Sequence, residues 1–217
     1  MRILGLIIVV LGLGVGAVLL AANGQQEPES DQTTEREPIV LPISLYLLVS
    51  DDDASEEQAA LVDTQRSEDE LRETLDGMND IWSQADIQLE AQAIGELAVP
   101  VDVLADILSG NFNSFFRQAG ITFDIPNAAE INGYYARGIG GPNGIVPFRA
   151  PHYFVTDRPS VHDRRVSSHE VGHILGLHHT LGDRGRLLFP GTNGMALTEE
   201  EIVVARYFAQ GYLDDVR

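Results

Sequence analysis

The chain of 217 residues has no cysteine and no lysine, a single tryptophan, and only 14 cationic side chains, all arginine, against 33 carboxylates. Without cysteine there is no disulfide, no thiolate ligand for a metal, and no latency through a cysteine sulfur on a metal ion. That absence fits either side of a membrane. The shortage of cations leaves a formal net charge of -19 and a pI near 4.4. Such a balance argues against nucleic acid as a partner, because phosphates need a basic surface. It favours solubility and says little about a substrate. The exclusive use of arginine carries no functional reading. The length suits one domain with a proper core and a short appendage.

What is present is concentrated in one stretch, His169-Glu170-Val171-Gly172-His173-Ile174-Leu175-Gly176-Leu177-His178-His179. On a helix, His169 and His173 stand one turn apart on the same face. Their neutral rings can then reach one Zn²⁺ at about 2.0–2.1 Å each. Glu170 lies beside the first ligand, where its carboxylate reaches a metal-activated water without displacing it. Gly176 is placed to end the helix in the left-handed conformation that only glycine adopts cheaply. The chain can then turn back and bring in His179 as third ligand, with His178 as the neighbouring alternative. Three ligands leave a fourth position open, as in catalytic rather than structural zinc sites. The competing structural reading is a buried helix with satisfied histidines, which would require all these spacings to coincide by accident.

The pattern His-Glu-x-x-His-x-x-Gly-x-x-His resembles the metzincin clan of zinc metallopeptidases. The order of zinc motif, apolar turn, glycine-containing loop and Leu197-Thr198-Glu199-Glu200-Glu201-Ile202 helix start is most similar to the matrixin branch. The resemblance implies a methionine turn forming an apolar floor beneath the metal. Leu188 occupies the matching position, in Leu187-Leu188-Phe189-Pro190, and Met195 is the alternative. Leucine for methionine conserves volume and usually costs under about 1.5 kcal/mol. The resemblance also implies that a segment between Gly144 and Thr156 is an exposed sheet edge onto which a peptide adds. No tyrosine follows the turn closely, so the extra tyrosine ligand of some metzincins has no counterpart.

Upstream, residues 3–22 form one uninterrupted apolar run behind the single charge of Arg2. A positive start, an apolar core and small residues near Ala22 describe a secretory signal, yet about 20 apolar residues also span a bilayer. Residues 1–24 are therefore a signal peptide or an N-terminal membrane anchor. Either way the remainder lies outside the cytoplasm, secreted or tethered through residues 3–22. Residues 25–38, rich in Gln, Glu, Ser, Thr and Pro, read as a disordered linker. Residues 39–217 make up the metallopeptidase-like domain.

Within that domain, alternation over 43–49 predicts a strand with one well-buried side, and alternation over 87–93 a second. Asp51, Asp52, Asp53, Glu56 and Glu57 read as a solvated acidic loop, where calcium is conceivable but unsupported. Ser67-Glu68-Asp69-Glu70 is a capping box opening a helix with Leu71, Leu75, Met78 and Trp82 on its apolar face. Helical patches cover 103–108 and 112–119, and short strands 131–136, 145–148 and 152–156. Residues 138–144 are a glycine-rich turn, and lone His152 and His162 are not read as ligands. The zinc helix runs from Asp163 to about Leu175. A second capping box at Thr198 opens a last helix reaching Gly211. These elements give an α+β fold, zincin-like, with a twisted mixed sheet, an active-site helix and a C-terminal helix.

The expected function is a zinc-dependent endopeptidase acting on protein or peptide substrates. It hydrolyses peptide bonds through the metal-activated water, with Glu170 as general base. The alternative from another class is a catalytically inactive, zinc-stabilised extracellular binding module, whose signature would be a missing glutamate. A third is a hydrolase of non-peptide amides.

Overall fold

The computed structural model describes residues 36–127, 129–148 and 151–216. The expected signal or anchor over 1–24 and most of the 25–38 linker lie outside these residues. Arg36 and Glu37 belong to the compact unit. The Arg36 guanidinium pairs with Glu199 and stands 3.9 Å from Asp86, and the Glu37 carbonyl accepts from Arg206 at 2.7 Å.

The described residues form β1 (Ile39–Ser50), α1 (Glu56–Val62), α2 (Glu68–Trp82), β2 (Ile87–Val99), α3 (Val101–Leu108), α4 (Asn113–Gln118), β3 (Ile131–Ala136), β4 (Gly144–Ile145), β5 (His152–Thr156), α5 (Asp163–Ile174) and α6 (Glu199–Val216). The strands make one sheet in the order β2-β1-β3-β5-β4. β1 runs parallel to β2 and to β3, and β3 parallel to β5, whereas β4 closes the edge antiparallel to β5. The α+β class with a mixed sheet is what the sequence predicts.

Both faces of that sheet are buried at its centre, over 43–48 of β1 and along β3 and most of β5. Ile43, Leu45 and Leu47 of β1 pack with Leu71, Met78 and Trp82 of α2, Val166 and Val171 of α5, and Ile202 of α6. Tyr46 and Leu48, expected on a less buried side, are 3% and 0% exposed. They lie in a second core with Val103, Leu104 and Ile107 of α3, Phe115 of α4, Tyr134 and Phe154. A central parallel strand covered by helices on both sides has no solvent face, so β1 loses the one-sidedness its pattern suggests.

Other boundaries shift for local reasons. Glu56 and Glu57 are not loop residues: they open α1, with Ser55 and Gln58 forming a reciprocal capping box. β2 continues to Val99 along the full length of β1. β4 stops at Ile145, two residues before Pro147, which has no N–H to donate to a ladder. The Thr198–Glu201 box is present, with reciprocal bonds of 3.1 and 3.4 Å, but α6 passes through Gly211 to Val216. The Ser67–Glu70 box at α2 is as expected. Among the described residues no helix is long and apolar enough to cross a membrane.

Candidate metal centre

Residues 163–174 form the expected helix because two turns of core-facing positions, Val166 and Val171, anchor it against the sheet. It ends where glycine is available. Gly176 has φ +78°, its N–H donates to His173 O at 3.2 Å, and Leu177 N–H donates to Gly172 O at 2.9 Å. That pair of bonds is the Schellman arrangement, which reverses the chain just past the helix. His179 is thereby returned toward His169 and His173.

The three Nε2 atoms form a nearly equilateral triangle. His169 and His179 are 3.1 Å apart, and His173 is 3.2 Å from each. His169 Nδ1 faces the Leu187 carbonyl at 2.8 Å, and His173 Nδ1 faces the Leu177 carbonyl at 2.9 Å. A carbonyl only accepts, so each Nδ1 carries the proton and each Nε2 presents a lone pair. Lone pairs crowded at this distance repel unless a cation stands between them. An ion about 2.0–2.1 Å from each nitrogen would subtend angles of about 100°, near tetrahedral, with one side open. The donor set fits zinc. Among the described residues this is the only group of three or more His, Cys, Asp or Glu side chains placed to hold a metal. The acidic stretch beginning at Asp51 converges on no such point, and nearby Asp63 instead accepts from Ser50 N at 2.6 Å.

Burial completes the electrostatics. It lowers the pKa of His169 to about 3, helped by the charges of Arg165, His173 and His179, and it also lowers that of His173. Both rings are neutral near pH 7, so neither must shed a proton to bind a metal. Glu170 is 5% exposed, and burial raises its pKa to about 8 against the opposing pull of Arg165. His178 is exposed at the cleft and stands outside the triad. His152 is buried, its Nδ1 3.3 Å from the Tyr134 hydroxyl, and His162 precedes α5 with its N–H bonded to Asn193.

The histidines and Glu170 line a cleft of about 980 Å³, roofed by 142–148 and walled below by Leu177, Pro190, Phe208 and Tyr212. Leu188 is fully buried beneath the helix: a Cβ on Gly172 would lie 3.2 Å from its Cδ2. Met195 packs at the edge of the core, its carbonyl bonded to Gln84. Leu188, rather than Met195, therefore lies against the histidine-bearing helix.

Three contributors escape sequence reasoning. Arg165 lines the cleft one turn before His169, and helical spacing alone would have placed it there. Gly144 touches Glu170 from β4, and Phe208 packs its ring on Gly176 from α6. These two have no local signal.

No protein-family model matches the chain, nor does any curated protein. Among solved structures it is similar to archaemetzincin from Methanopyrus kandleri, with a TM-score of 0.50 and 11% identity over 78% of this chain and 96% of that one. It is also similar to a chain in a chaperone–substrate complex, with a TM-score of 0.50 and 15% identity over 81% of this chain; it spans only 35% of that one. Identities this low speak for the fold alone. The fold is zincin-like, and its cleft carries a three-histidine group able to hold a metal ion.

Proposed function

We propose that the protein is a zinc-dependent endopeptidase of the metzincin clan, with His169, His173 and His179 as ligands and Glu170 as general base. One observation carries the reading: three imidazole nitrogens converge to 3.1–3.2 Å beside a buried carboxylate on the floor of an open cleft. A bound Zn²⁺ supplies Lewis acidity, polarising a carbonyl and lowering the pKa of water from about 15.7 toward about 7.

The chain's own residues supply the rest. Glu170 accepts a proton at its carboxylate and returns it to the leaving amine. The Leu187 and Leu177 carbonyls orient the two helical imidazoles. β4, at the sheet's edge beside Glu170, has main-chain groups on its outer side with which an extended peptide can pair. Ile145, Val146, Leu177 and Phe208 favour apolar side chains in the cleft. The matrixin-like reading rests on the order of zinc motif, apolar turn, loop and Leu197–Ile202 helix start, and the turn departs from that family's pattern by carrying Leu188 where it has methionine. We place the domain outside the cytoplasm on the strength of Arg2 and the apolar run over 3–22. Mass spectrometry of the mature N-terminus distinguishes cleavage near Ala22 from retention of the run.

The deciding experiment is digestion of a peptide library by the zinc-loaded protein, with and without chelator. Cleavage should be lost with chelator and in Glu170→Ala, which should keep its fold and its zinc. Full turnover in that variant refutes the role of Glu170. A zinc-loaded protein that cuts no peptide is either the inactive binding module or the hydrolase of non-peptide amides, and a screen of small amide substrates separates the two.

A further inference from the structure

Arg165 is 3% exposed and leaves α5 on the same face as His169, four residues upstream. It takes part in no ion pair among the described residues, although the chain has 33 carboxylates to offer. A buried guanidinium with no carboxylate within 4.0 Å is costly, and its Nε has no hydrogen-bond partner, so the acceptors that its Nη2 does find must offset that cost. Its Nη2 donates to the Leu187 carbonyl at 2.8 Å and also to the Phe189 carbonyl. The Leu187 carbonyl is the same one that accepts from His169 Nδ1 at 2.8 Å. Between them, the Leu188 carbonyl accepts from Thr180 N at 3.1 Å. Every carbonyl of turn 187–189 is thus engaged, two of them by Arg165.

A peptide plane held by one ring nitrogen is free to tilt, and the ring tilts with it. A second donor from the same rigid helix removes that freedom. We propose that Arg165 is a positioning residue for the metal centre. By pinning the Leu187 carbonyl it fixes the ring of His169 with its Nε2 lone pair on the shared point, and by spanning to Phe189 it holds Leu188 under Gly172. The inference rests on the reading of the three histidines as metal ligands.

The test is the zinc affinity of the full chain, measured by competition with a chromophoric chelator, alongside the melting temperature of the metal-free protein. Arg165→Met should weaken zinc binding about 10–100-fold, the usual cost of losing an outer partner of a ligand. Arg66→Met is the control. It removes another buried guanidinium, bonded to the Thr156 and Asp157 carbonyls and paired at 2.6 Å with Asp163 at the end of α5 away from the histidines, and should lower the melting temperature while leaving zinc affinity within about two-fold. A folded Arg165→Met that binds zinc like the wild type, or an equal loss in Arg66→Met, overturns the proposal. If Arg165→Met does not fold, Arg165→Lys makes the same comparison, because an ammonium lacks the planar donor geometry. Wild-type affinity in that variant is equally fatal. A wild-type chain that takes up no zinc would instead sink the metal reading beneath the proposal.

Discussion

Gly144 of the edge strand and Glu170 of the histidine helix approach so closely that no side chain fits between them. A Cβ at residue 144 would stand 2.7 Å from Glu170 Oε1, 2.9 Å from its Cγ and 2.7 Å from Val166 Cγ1. Gly144→Ala should therefore displace the carboxylate. A shift of about 1 Å in a catalytic group costs on the order of 100-fold in rate. Steady-state kinetics should show that loss in kcat, with KM and zinc content close to wild type. An unchanged kcat would mean that β4 or Val166 yields instead.

The pKa values of His169 and Glu170 set opposite pH slopes in the metal-free protein. Glu170 titrates at about 8 when folded against 4.5 ordinarily. Its contribution to stability is intact below about 4.5 and is lost as pH rises through about 8. His169 titrates at about 3 rather than 6.5. The unfolded chain binds the extra proton between those values, so stability rises with pH across that window. From these two groups, stability is level between about pH 4.5 and 6.5 and falls on either side.

Glu170→Gln removes the alkaline arm of that profile. Calorimetry in chelator should find the variant more stable than wild type at pH 8.5, by a few kcal/mol, with the gap closing toward pH 4.5. A gap independent of pH would contradict the assignment.

Gly176 serves two demands at once, a φ of +78° and a surface for the Phe208 ring. Gly176→Ala meets a left-handed backbone penalty of about 1–2 kcal/mol and, in addition, steric overlap with that ring. Thermal denaturation should show a loss beyond the backbone term. Phe208→Ala in the same chain should recover the overlap part, so the two substitutions should not add.

Phe115 lies on the face of the sheet away from α5, with ring centroids 5.0 Å from Phe123 and Tyr134 and 5.3 Å from Phe154. Phe115→Ala should cost about 3–5 kcal/mol in urea unfolding. Zinc affinity of the folded variant should match wild type. A large affinity loss would show that the two cores are mechanically coupled.

The parts that could be read without coordinates are those set by neighbours in sequence. His169 and His173 share a face because a helix turns every 3.6 residues. Gly176 ends that helix because a Cβ is disfavoured at its φ. The capping boxes at Ser67 and Thr198 are likewise local exchanges of hydrogen bonds. The box at Ser55 and Gln58 had the same signal, obscured by the surrounding carboxylates.

The sequence by itself determined the shared face of His169 and His173, the glycine that ends their helix and the return of the chain just after it, because all lie within 11 residues governed by short-range geometry. That His179 rather than His178 converges with them was decided by the fold. Only the tertiary structure decided what surrounds them. Arg165 finds acceptors 22 and 24 residues onward, Glu170 meets Gly144 across the sheet edge, and Phe208 reaches Gly176 from the last helix. Likewise, Tyr46 is buried only because Phe115 and its neighbours cover that face. Such contacts depend on how whole elements pack, and a periodicity along one segment carries no record of what another segment will lay against it.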